Sequence, residues 1–336
     1  MNKCYNSHVY EYKRFCQTKP GLSYDASESF ADWQKRAREK LKELLGLPLG
    51  ECEADFEIEY TKEREGCTEY RFTVQTEPGY YVPCHLLIPT GKSGKIPLTI
   101  CLSGHTPGMH IALGIVKTEK DETMIKSWPP RVMAPRSIKE GRAALVIEAR
   151  NFGESSLEGY GTTCNEAAKN AMLIGRTVIG ERVWDVMRIL DVVLEKFDAI
   201  DANGIVCTGN SGGGTATYYL ACIDERIAVA APSCSICSYE TSIAAMPHCI
   251  CNHIPYIRKY FEMGDLAGLI APRKLVIAAG KEDKTFPKEG TQQTFDIIQK
   301  LYTYAGVPEY CALVWGERGH YYYDDLLWEK IHEMNG

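Results

Sequence analysis

The chain has 336 residues, of which 45% are hydrophobic and 24% are charged, and its formal net charge is -6. This length supports one large hydrophobic core with additions, or two domains. The negative balance gives no reason to expect a nucleic acid or an anionic membrane as a partner. A charged small substrate stays possible, because the local field of a site need not follow the total charge.

Targeting signals and cysteine usage indicate where the protein works. No segment approaches the roughly 18 apolar residues of a membrane span, and the first residues, MNKCYNSHVYEYKRFCQ, lack the apolar region of a signal peptide. The 14 cysteines are dispersed through apolar segments such as TICLSG and GIVCTG. They are therefore expected to be reduced core thiols of a cytoplasmic protein. The sequence leaves a homo-oligomer open.

The N-terminal part predicts an amphipathic helix over residues 30–47, ended by Pro48. Its apolar positions recur at helical spacing: Phe30, Trp33, Ala37, Leu41, Leu44 and Leu45. A helix of this kind is expected to pack on the main body rather than to bind a partner. Residues 1–67 are accordingly predicted to form an N-terminal helical extension.

Strand-like and helical segments then alternate. Two strands separated by Pro78-Gly79 come first, and short continuous apolar runs follow, with helical stretches between them. The strand segments are 68–76, 80–89, 96–104, 143–150, 204–209, 227–233, 274–280 and 310–316, and the helical segments are 177–197, 214–222, 289–304 and 323–334. Continuous apolar runs are typical of parallel strands buried on both faces. The predicted fold is therefore α/β, with a mostly parallel central sheet and helices on both faces.

Residues 68–336 are predicted to form one domain. The stretches 105–142 and 234–272 exceed ordinary loop lengths, so they are expected to be lid insertions near the ligand-binding edge of the sheet.

The segment GIVCTGNSGGG places Ser211 between a predicted strand and a predicted helix, in a G-x-S-x-G pattern. In a nucleophile elbow the serine takes strained backbone angles, and its neighbours two residues away must be small. The glycines therefore have a steric reason. The helix that follows directs its N-terminal dipole and N–H groups at developing negative charge. In this context the pattern predicts that Ser211 is a nucleophile.

A serine hydroxyl needs a positioned base. Enzymes with such an elbow carry serine, acid and histidine in that chain order. Four of the eight histidines come late enough: His248, His253, His320 and His332. His320 directly follows the last apolar strand, in LVWGERGHYYY, and is predicted to be the base.

The acid is expected after the preceding strand, in KLVIAAGKEDKTFP, where Asp283 is preferred over Glu282. The surrounding lysines also fit a solvated charged turn without a catalytic role.

An oxyanion hole needs the N–H of the residue after the nucleophile and a second N–H from a loop after an early strand. Gly212 supplies the first, and His105, in CLSGHTPG, is predicted to supply the second. Whether the His105 imidazole touches substrate or fills space is open.

From about residue 68 to the C-terminus the chain resembles the α/β-hydrolase superfamily, and more narrowly the bacterial acetyl xylan esterases and dienelactone-hydrolase-like hydrolases. The segments that carry the resemblance are LSGH, EARNFGES, GRTVIGERVWDVMRILD, GNSGGG, APRKLVIAAGKEDKTFP and RGH. The resemblance implies an α/β-hydrolase fold and a triad of Ser211, Asp283 and His320.

The chain departs from that pattern at two positions. Carbohydrate acetyl esterases of this kind carry glutamine after the serine and histidine in the early loop, where this chain has Gly212 and Ser103. These differences leave the acetyl-sugar substrate in question, but not the fold or mechanism. Ser211 also argues against the dienelactone hydrolase branch, whose nucleophile is cysteine.

A second constellation, in SCSICSY and PHCICNHIP, invites a zinc interpretation. Its residues are Cys234, Cys237, His248, Cys249, Cys251 and His253. Adjacent and alternate positions do not converge easily on one ion, so a lid or pocket wall is the preferred interpretation, with no metal site predicted. Trp128, Tyr239 and His248 are candidate substrate-binding residues there.

The sequence thus predicts a serine hydrolase that cleaves small-molecule carboxylic esters through an acyl-enzyme and requires no metal or organic cofactor. Deacetylation of a carbohydrate or another small ester fits the resemblance. Three alternatives stay open: a peptidase or amidase of the prolyl-oligopeptidase type, a catalytically silent binding protein with the hydrolase fold, and metal-dependent hydrolysis through the Cys/His constellation.

Overall fold

A computed structural model describes residues 4–335 as one nine-stranded sheet flanked by helices. The strands are β1 (Glu57–Arg64), β2 (Cys67–Glu77), β3 (Tyr80–Pro89), β4 (Ile96–Leu102), β5 (Ala143–Ile147), β6 (Ile200–Asn210), β7 (Ile227–Ser233), β8 (Lys274–Gly280) and β9 (Cys311–Gly316). Their order in the sheet is β1-β2-β3-β5-β4-β6-β7-β8-β9. The first three strands and the β3–β5 pair are antiparallel, and all later pairs are parallel. The mostly parallel α/β sheet is as predicted.

Eleven α-helices are assigned within the described residues. They are α1 (Ser7–Gln17), α2 (Phe30–Leu45), α3 (Glu119–Ser127), α4 (Met133–Lys139), α5 (Cys164–Leu173), α6 (Val178–Lys196), α7 (Gly212–Ile223), α8 (Ile257–Tyr260), α9 (Met263–Leu266), α10 (Lys288–Tyr304) and α11 (Asp324–Asn335). No helix of residues 4–335 is both long enough and apolar enough to cross a lipid bilayer.

The N-terminal extension differs from the prediction at two places. Strand β1 lies inside the segment predicted to be helical and forms the antiparallel edge of the sheet against β2. Its residues are almost all exposed, so they lack the apolar pattern by which a strand can be recognised. Helix α1 buries none of its residues and lacks that signal as well.

Helix α2 follows the predicted amphipathic pattern. It starts at the N-cap Ser29 and ends at Gly46, whose φ of 79° is the left-handed C-cap that glycine favours. Trp33 is 1% exposed, and its indole donates to the carbonyl of Leu22. The helix therefore packs as part of the main core.

The carboxyl ends of the parallel strands meet at one edge of the sheet, where the long segments also lie. Residues 105–142 form the loop after β4, with a 3-10 turn at Met109–Ile111 and helices α3 and α4. Residues 234–272 follow β7 and contain a 3-10 turn at Ile250–Asn252, α8 and α9. Ligand sites of open α/β sheets form at this edge.

Candidate active site

Ser211 occupies the turn between β6 and α7 with φ 54° and ψ -121°. A non-glycine residue with such angles is strained, and strain of this kind is retained where the surroundings determine the conformation. Here the Ser211 N–H donates to the carbonyl of Ser233 at 2.9 Å. The main chain of Ser211 is thus held by the neighbouring strand β7.

The glycines of the elbow are required by close backbone approaches. A Cβ on Gly209 would lie 2.5 Å from the backbone of Gly213, and a Cβ on Gly213 would lie 1.9 Å from the carbonyl oxygen of Leu102. Neither obstacle is a flexible side-chain end that could move. The turn is therefore closed against strand β4, as the G-x-S-x-G pattern predicts.

Asp283 and His320 lie together at the ends of the next two strands. Asp283 follows β8, and its Oδ2 lies 2.8 Å from Nδ1 of His320. Its other oxygen accepts the N–H groups of Thr285 at 2.8 Å and Phe286 at 3.1 Å. Glu282, the alternative acid, is exposed. Of the two candidate carboxylates, the structure places Asp283 on the histidine.

The environment keeps the Asp283 carboxylate charged. Burial alone would raise the pKa of Asp283, but the hydrogen bond and the charge of His320, with the two backbone N–H groups, outweigh it and lower the pKa. The ring of Phe286 stacks on His320 at a centroid distance of 5.8 Å and 16° between planes. The imidazole is thus fixed from one edge and one face.

The loop that carries His320 is tied to the strand that holds Ser211. The Ser233 hydroxyl donates to the carbonyl of Tyr321 at 3.1 Å and accepts the N–H of Tyr323 at 3.3 Å. Within residues 4–335 the Ser211 hydroxyl itself makes no hydrogen bond. Catalytic hydrogen bonds are often long without substrate and tighten in the complex.

The early loop lies against the elbow on its other side. A Cβ on Gly104 would lie 2.6 Å from the Asn210 carbonyl and 3.3 Å from Cβ of Ser211. The next residue is His105, whose ring lies over Gly212: a Cβ there would be 3.0 Å from the ring Cε1 and 3.1 Å from Nδ1. The two backbone segments predicted to form the oxyanion hole are therefore neighbours.

That contact gives a physical reason for one departure from the esterase pattern. A glutamine side chain after Ser211 would start from the Cβ position that the His105 ring crowds. Gly212 and the position of His105 are thus mutually dependent.

The three predicted substrate-binding residues lie in different environments. Tyr239 is 2% exposed and its hydroxyl pairs with that of Tyr219 at 2.5 Å, so the prediction of a substrate contact is corrected to a core role. Trp128 is at the surface, beneath the guanidinium of Arg131 at 3.8 Å. His248 packs edge-on against Phe286 at 5.3 Å, which places it one ring away from His320.

Cys249 and Cys251 take part in a cluster that sequence reasoning did not assemble. Their sulfurs lie with Nε2 of His105 and the sulfur of Cys164, and all four atoms are within 4.8 Å of one another. Four such donors can hold a metal ion. Cys234, Cys237, His248 and His253 are not members, so the six-residue constellation suggested by the sequence is corrected to two of its cysteines plus two distant residues.

His105, Cys164, Cys249 and Cys251 form the His105 cluster, and the side chain of Arg182 lies against it. Its guanidinium is fully buried and donates to the sulfur of Cys164 at 3.4 Å and to the carbonyl of Arg150 at 2.8 Å. The thiols of Cys249 and Cys251, which hydrogen-bond to the Cys164 sulfur, lower the pKa of Cys164. In the same cluster, the hydrogen bond with Cys164 and burial raise the pKa of Cys251 well above its ordinary value.

A buried carboxylate, Glu148, follows β5 and was also not predicted. It accepts the N–H groups of Met109 at 3.0 Å and Glu154 at 3.2 Å, and so connects the loop after β4 with that after β5. Burial raises the pKa of Glu148 to about 8, although the two N–H groups act in the opposite direction. The sequence feature that could have identified Glu148 is its place at the end of a strand, in EARNFGES.

Residues 9–318 match the sequence model of the Abhydrolase family. The chain belongs to this family. A protein of Bacillus subtilis (strain 168), YtaP, which is named only provisionally as a hydrolase, is 26% identical over 184 residues. The aligned part is 54% of this chain and 60% of YtaP, so the relative is matched over less than two thirds of its length.

Solved structures with the same fold cover nearly the whole chain. A Bacteroides fragilis NCTC 9343 protein described provisionally as an acetyl xylan esterase superposes with a TM-score of 0.79 at 19% identity, over 94% of this chain and 83% of its own. A glucuronoyl esterase from Solibacter usitatus gives 0.68 at 15% identity, over 94% and 97%. At these identities the likeness establishes the α/β-hydrolase fold.

Proposed function

We propose that the protein is a serine carboxylic-ester hydrolase in which Ser211 is the nucleophile, His320 the base and Asp283 the residue that orients it. The observation that carries this proposal is the strained serine at the β6–α7 turn, with a hydrogen-bonded Asp283–His320 pair on the loops of the next strands. Three side chains of these types at these strand ends supply what acyl transfer needs.

In the first half-reaction Ser211 attacks the ester carbonyl while Nε2 of His320 takes the hydroxyl proton. Nδ1 of His320 faces Asp283, which fixes the tautomer and stabilises the imidazolium that forms. The negative charge on the tetrahedral oxygen is received by the N–H groups of Gly212 and His105. Removing one such donor costs about 3 kcal/mol in comparable sites.

His320 then gives the proton to the leaving alcohol, whose departure leaves Ser211 acylated. In the second half-reaction His320 takes a proton from a water molecule that attacks the acyl-enzyme, and returns it to Ser211 as the acid is released. Apart from that water molecule, every step uses groups that the chain itself provides.

For the substrate we propose an ester of a carbohydrate. The structural neighbours support this class, since those described above are named as an acetyl xylan esterase and a glucuronoyl esterase. The two names differ in which half of the ester the sugar supplies. The sugar is the alcohol where an acetyl group is on a sugar hydroxyl, and the acid where a uronic acid is esterified to an alcohol. A single panel containing acetylated xylo-oligosaccharide and benzyl glucuronate distinguishes them.

The test compares the wild type with Ser211→Ala on p-nitrophenyl acetate, butyrate and octanoate, followed by intact mass after a fluorophosphonate probe. We expect turnover and one adduct in the wild type, and a loss of about 10⁶-fold in kcat with no adduct in the variant. If folded wild-type protein shows neither turnover nor labelling, the proposal is wrong. Turnover that survives in Ser211→Ala would assign the reaction to another nucleophile.

A further inference from the structure

The His105 cluster joins three separate parts of the chain. His105 comes from the loop after β4, Cys164 begins α5, Cys249 precedes the 3-10 turn after β7, and Cys251 lies within that turn. Cys164 and Cys251 are 4% and 2% exposed. The three cysteines are free thiols, and each of the four residues contributes one soft or borderline donor atom to the same small space.

The donor atoms lie near the spacing of a tetrahedral zinc site, with every pair within 4.8 Å. With Zn–S near 2.3 Å and Zn–N near 2.0 Å, the edges of a regular tetrahedron are about 3.5–3.8 Å. Nε2 of His105 lies 3.5 Å from the sulfur of Cys251 and 3.9 Å from that of Cys164. Three sulfurs and one imidazole nitrogen are a common structural zinc set, and soft thiolates with imidazole select zinc over magnesium or calcium.

The charge of the surroundings is also suitable. Three thiolates around Zn²⁺ leave one net negative charge in a buried place, where an unpaired charge is costly. The buried Arg182 supplies the compensating positive charge 3.4 Å from the Cys164 sulfur. Binding would release the protons of the three thiols to solvent, which balances the reaction.

We propose that His105, Cys164, Cys249 and Cys251 form a structural zinc site that fastens the loop after β4 to the segment after β7. All four positions are taken by protein atoms, so no coordination site is left for water or substrate, which distinguishes the site from a catalytic zinc centre. The zinc site itself does not depend on the esterase activity.

The position of His105 gives the metal a second consequence, which rests on the proposed function. Its imidazole is a ligand, while its backbone N–H is one of the two proposed oxyanion donors. Ligation of Nε2 fixes the ring whose Cε1–Nδ1 edge lies over Gly212. The ion therefore positions an oxyanion donor without touching the substrate.

The first test measures metal in full-length protein prepared without a histidine tag. We expect about one zinc per chain in the wild type and a loss of at least tenfold in Cys249→Ser and Cys251→Ser. Cys311→Ser is the matched control, since Cys311 is a buried thiol at the start of β9 outside the cluster, and it should retain the ion. Ser211→Ala should retain it too, which separates this result from the test of the esterase.

Cobalt replacement of the wild type keeps the proposal testable if a cysteine variant fails to fold. Tetrahedral Co²⁺ with thiolate ligands gives intense visible bands and thiolate-to-metal charge transfer in the near ultraviolet. We expect both in the chelator-treated, Co²⁺-loaded wild type, with protection of three thiols from a thiol reagent. Substoichiometric zinc with no such spectrum would overturn the site and leave a cluster of free thiols. An unchanged spectrum in Cys251→Ser would overturn it as well.

The positioning role has its own readout. Removal of zinc should lower kcat on p-nitrophenyl acetate by about 10²-fold, in the range of losing one oxyanion donor, with KM nearly unchanged. Equal kcat with and without the ion would refute this role while leaving the zinc site intact. If Ser211 is not the nucleophile, metal stoichiometry is unaffected and only this last measurement loses its basis.

Discussion

The two sides of the elbow hold the active-site region by different means. On one side, the loops after β8 and β9 bring Asp283 and His320 together through a single hydrogen bond and a stacked ring. On the other side, the loops after β4 and β5 contribute His105 and Glu148, and within residues 4–335 neither is hydrogen-bonded to an Asp, Glu, Lys or Arg side chain.

A comparison of two buried carboxyl groups shows how a histidine partner changes the pKa. Asp283 and Glu148 each follow a strand and each accept two backbone N–H groups. The pKa of Asp283 is lowered and that of Glu148 is raised to about 8. Each carboxyl group accepts two backbone N–H groups, but burial and the charge of Glu154 raise the pKa of Glu148, whereas the hydrogen bond and charge of His320 lower that of Asp283. Asp283 is held as an anion beside His320, whereas Glu148 joins two loops.

The largest expected effect comes from removing the charge of Asp283 beside His320. In Asp283→Asn the amide cannot stabilise the imidazolium and favours the wrong tautomer of His320, so kcat should fall by about 10⁴-fold. Steady-state hydrolysis of p-nitrophenyl acetate measures this. The adjacent Glu282→Gln is the matched control and should stay close to wild-type activity, because Glu282 is exposed. Equal losses in the two variants would remove Asp283 from its proposed role.

This first side could be predicted from the sequence because every part of it is local. The strand, the elbow and the loop each lie in a continuous segment, and the order of serine, acid and histidine follows the order of the strands. Ser211, Asp283 and His320 are each identified within a few residues of a strand end.

The second side could not be predicted in the same way. Cys164 is 59 residues from His105 and 87 from Cys251, and nothing in the spacing indicates that they meet. Only two of the four donors lie in a recognisable motif, and the histidines of that motif, His248 and His253, are not part of the cluster. Strand β1 and helix α1 were missed for a related reason, since exposed elements carry no apolar periodicity.

A second prediction concerns Glu148, whose pKa in the folded protein is about 8 against an ordinary value of 4.5. Between these values the folded state keeps a proton that the unfolded state has released. Unfolding then releases that proton, so the free energy of unfolding should decrease as the pH rises through this window. From pH 5 to pH 8 the decrease is on the order of 3 kcal/mol, since one pKa unit corresponds to about 1.4 kcal/mol.

Urea denaturation at pH 5 and pH 8 checks this for the wild type and Glu148→Gln. The uncharged amide should remove most of the pH-dependent difference, whatever its effect on stability at pH 5. Glu166→Gln, at an exposed position of α5, should keep the wild-type difference. A variant Glu148→Gln that loses stability with pH as steeply as the wild type would show that another group is responsible.

The smallest expected effect concerns Gly212, which follows Ser211 and contacts the His105 ring. Gly212 has no left-handed backbone angle, so Gly212→Ala adds only a methyl group, 3.0 Å from Cε1 of His105. The His105 ring must give way by a few tenths of an ångström, and we expect the backbone N–H of His105 to be displaced with it. We expect kcat to fall about tenfold with KM nearly unchanged, since only a displaced oxyanion donor is affected.

The same substitution connects the two proposals, because the His105 ring is both the obstacle to the methyl group and a proposed zinc ligand. In Co²⁺-loaded Gly212→Ala the visible bands should shift or weaken while the Asp283–His320 pair, on the opposite side, is undisturbed. A lower kcat with an unchanged cobalt spectrum would show that the loop yields and the ligand does not. If both readouts match the wild type, the ring has room to move, and the mutual dependence of Gly212 and His105 is wrong.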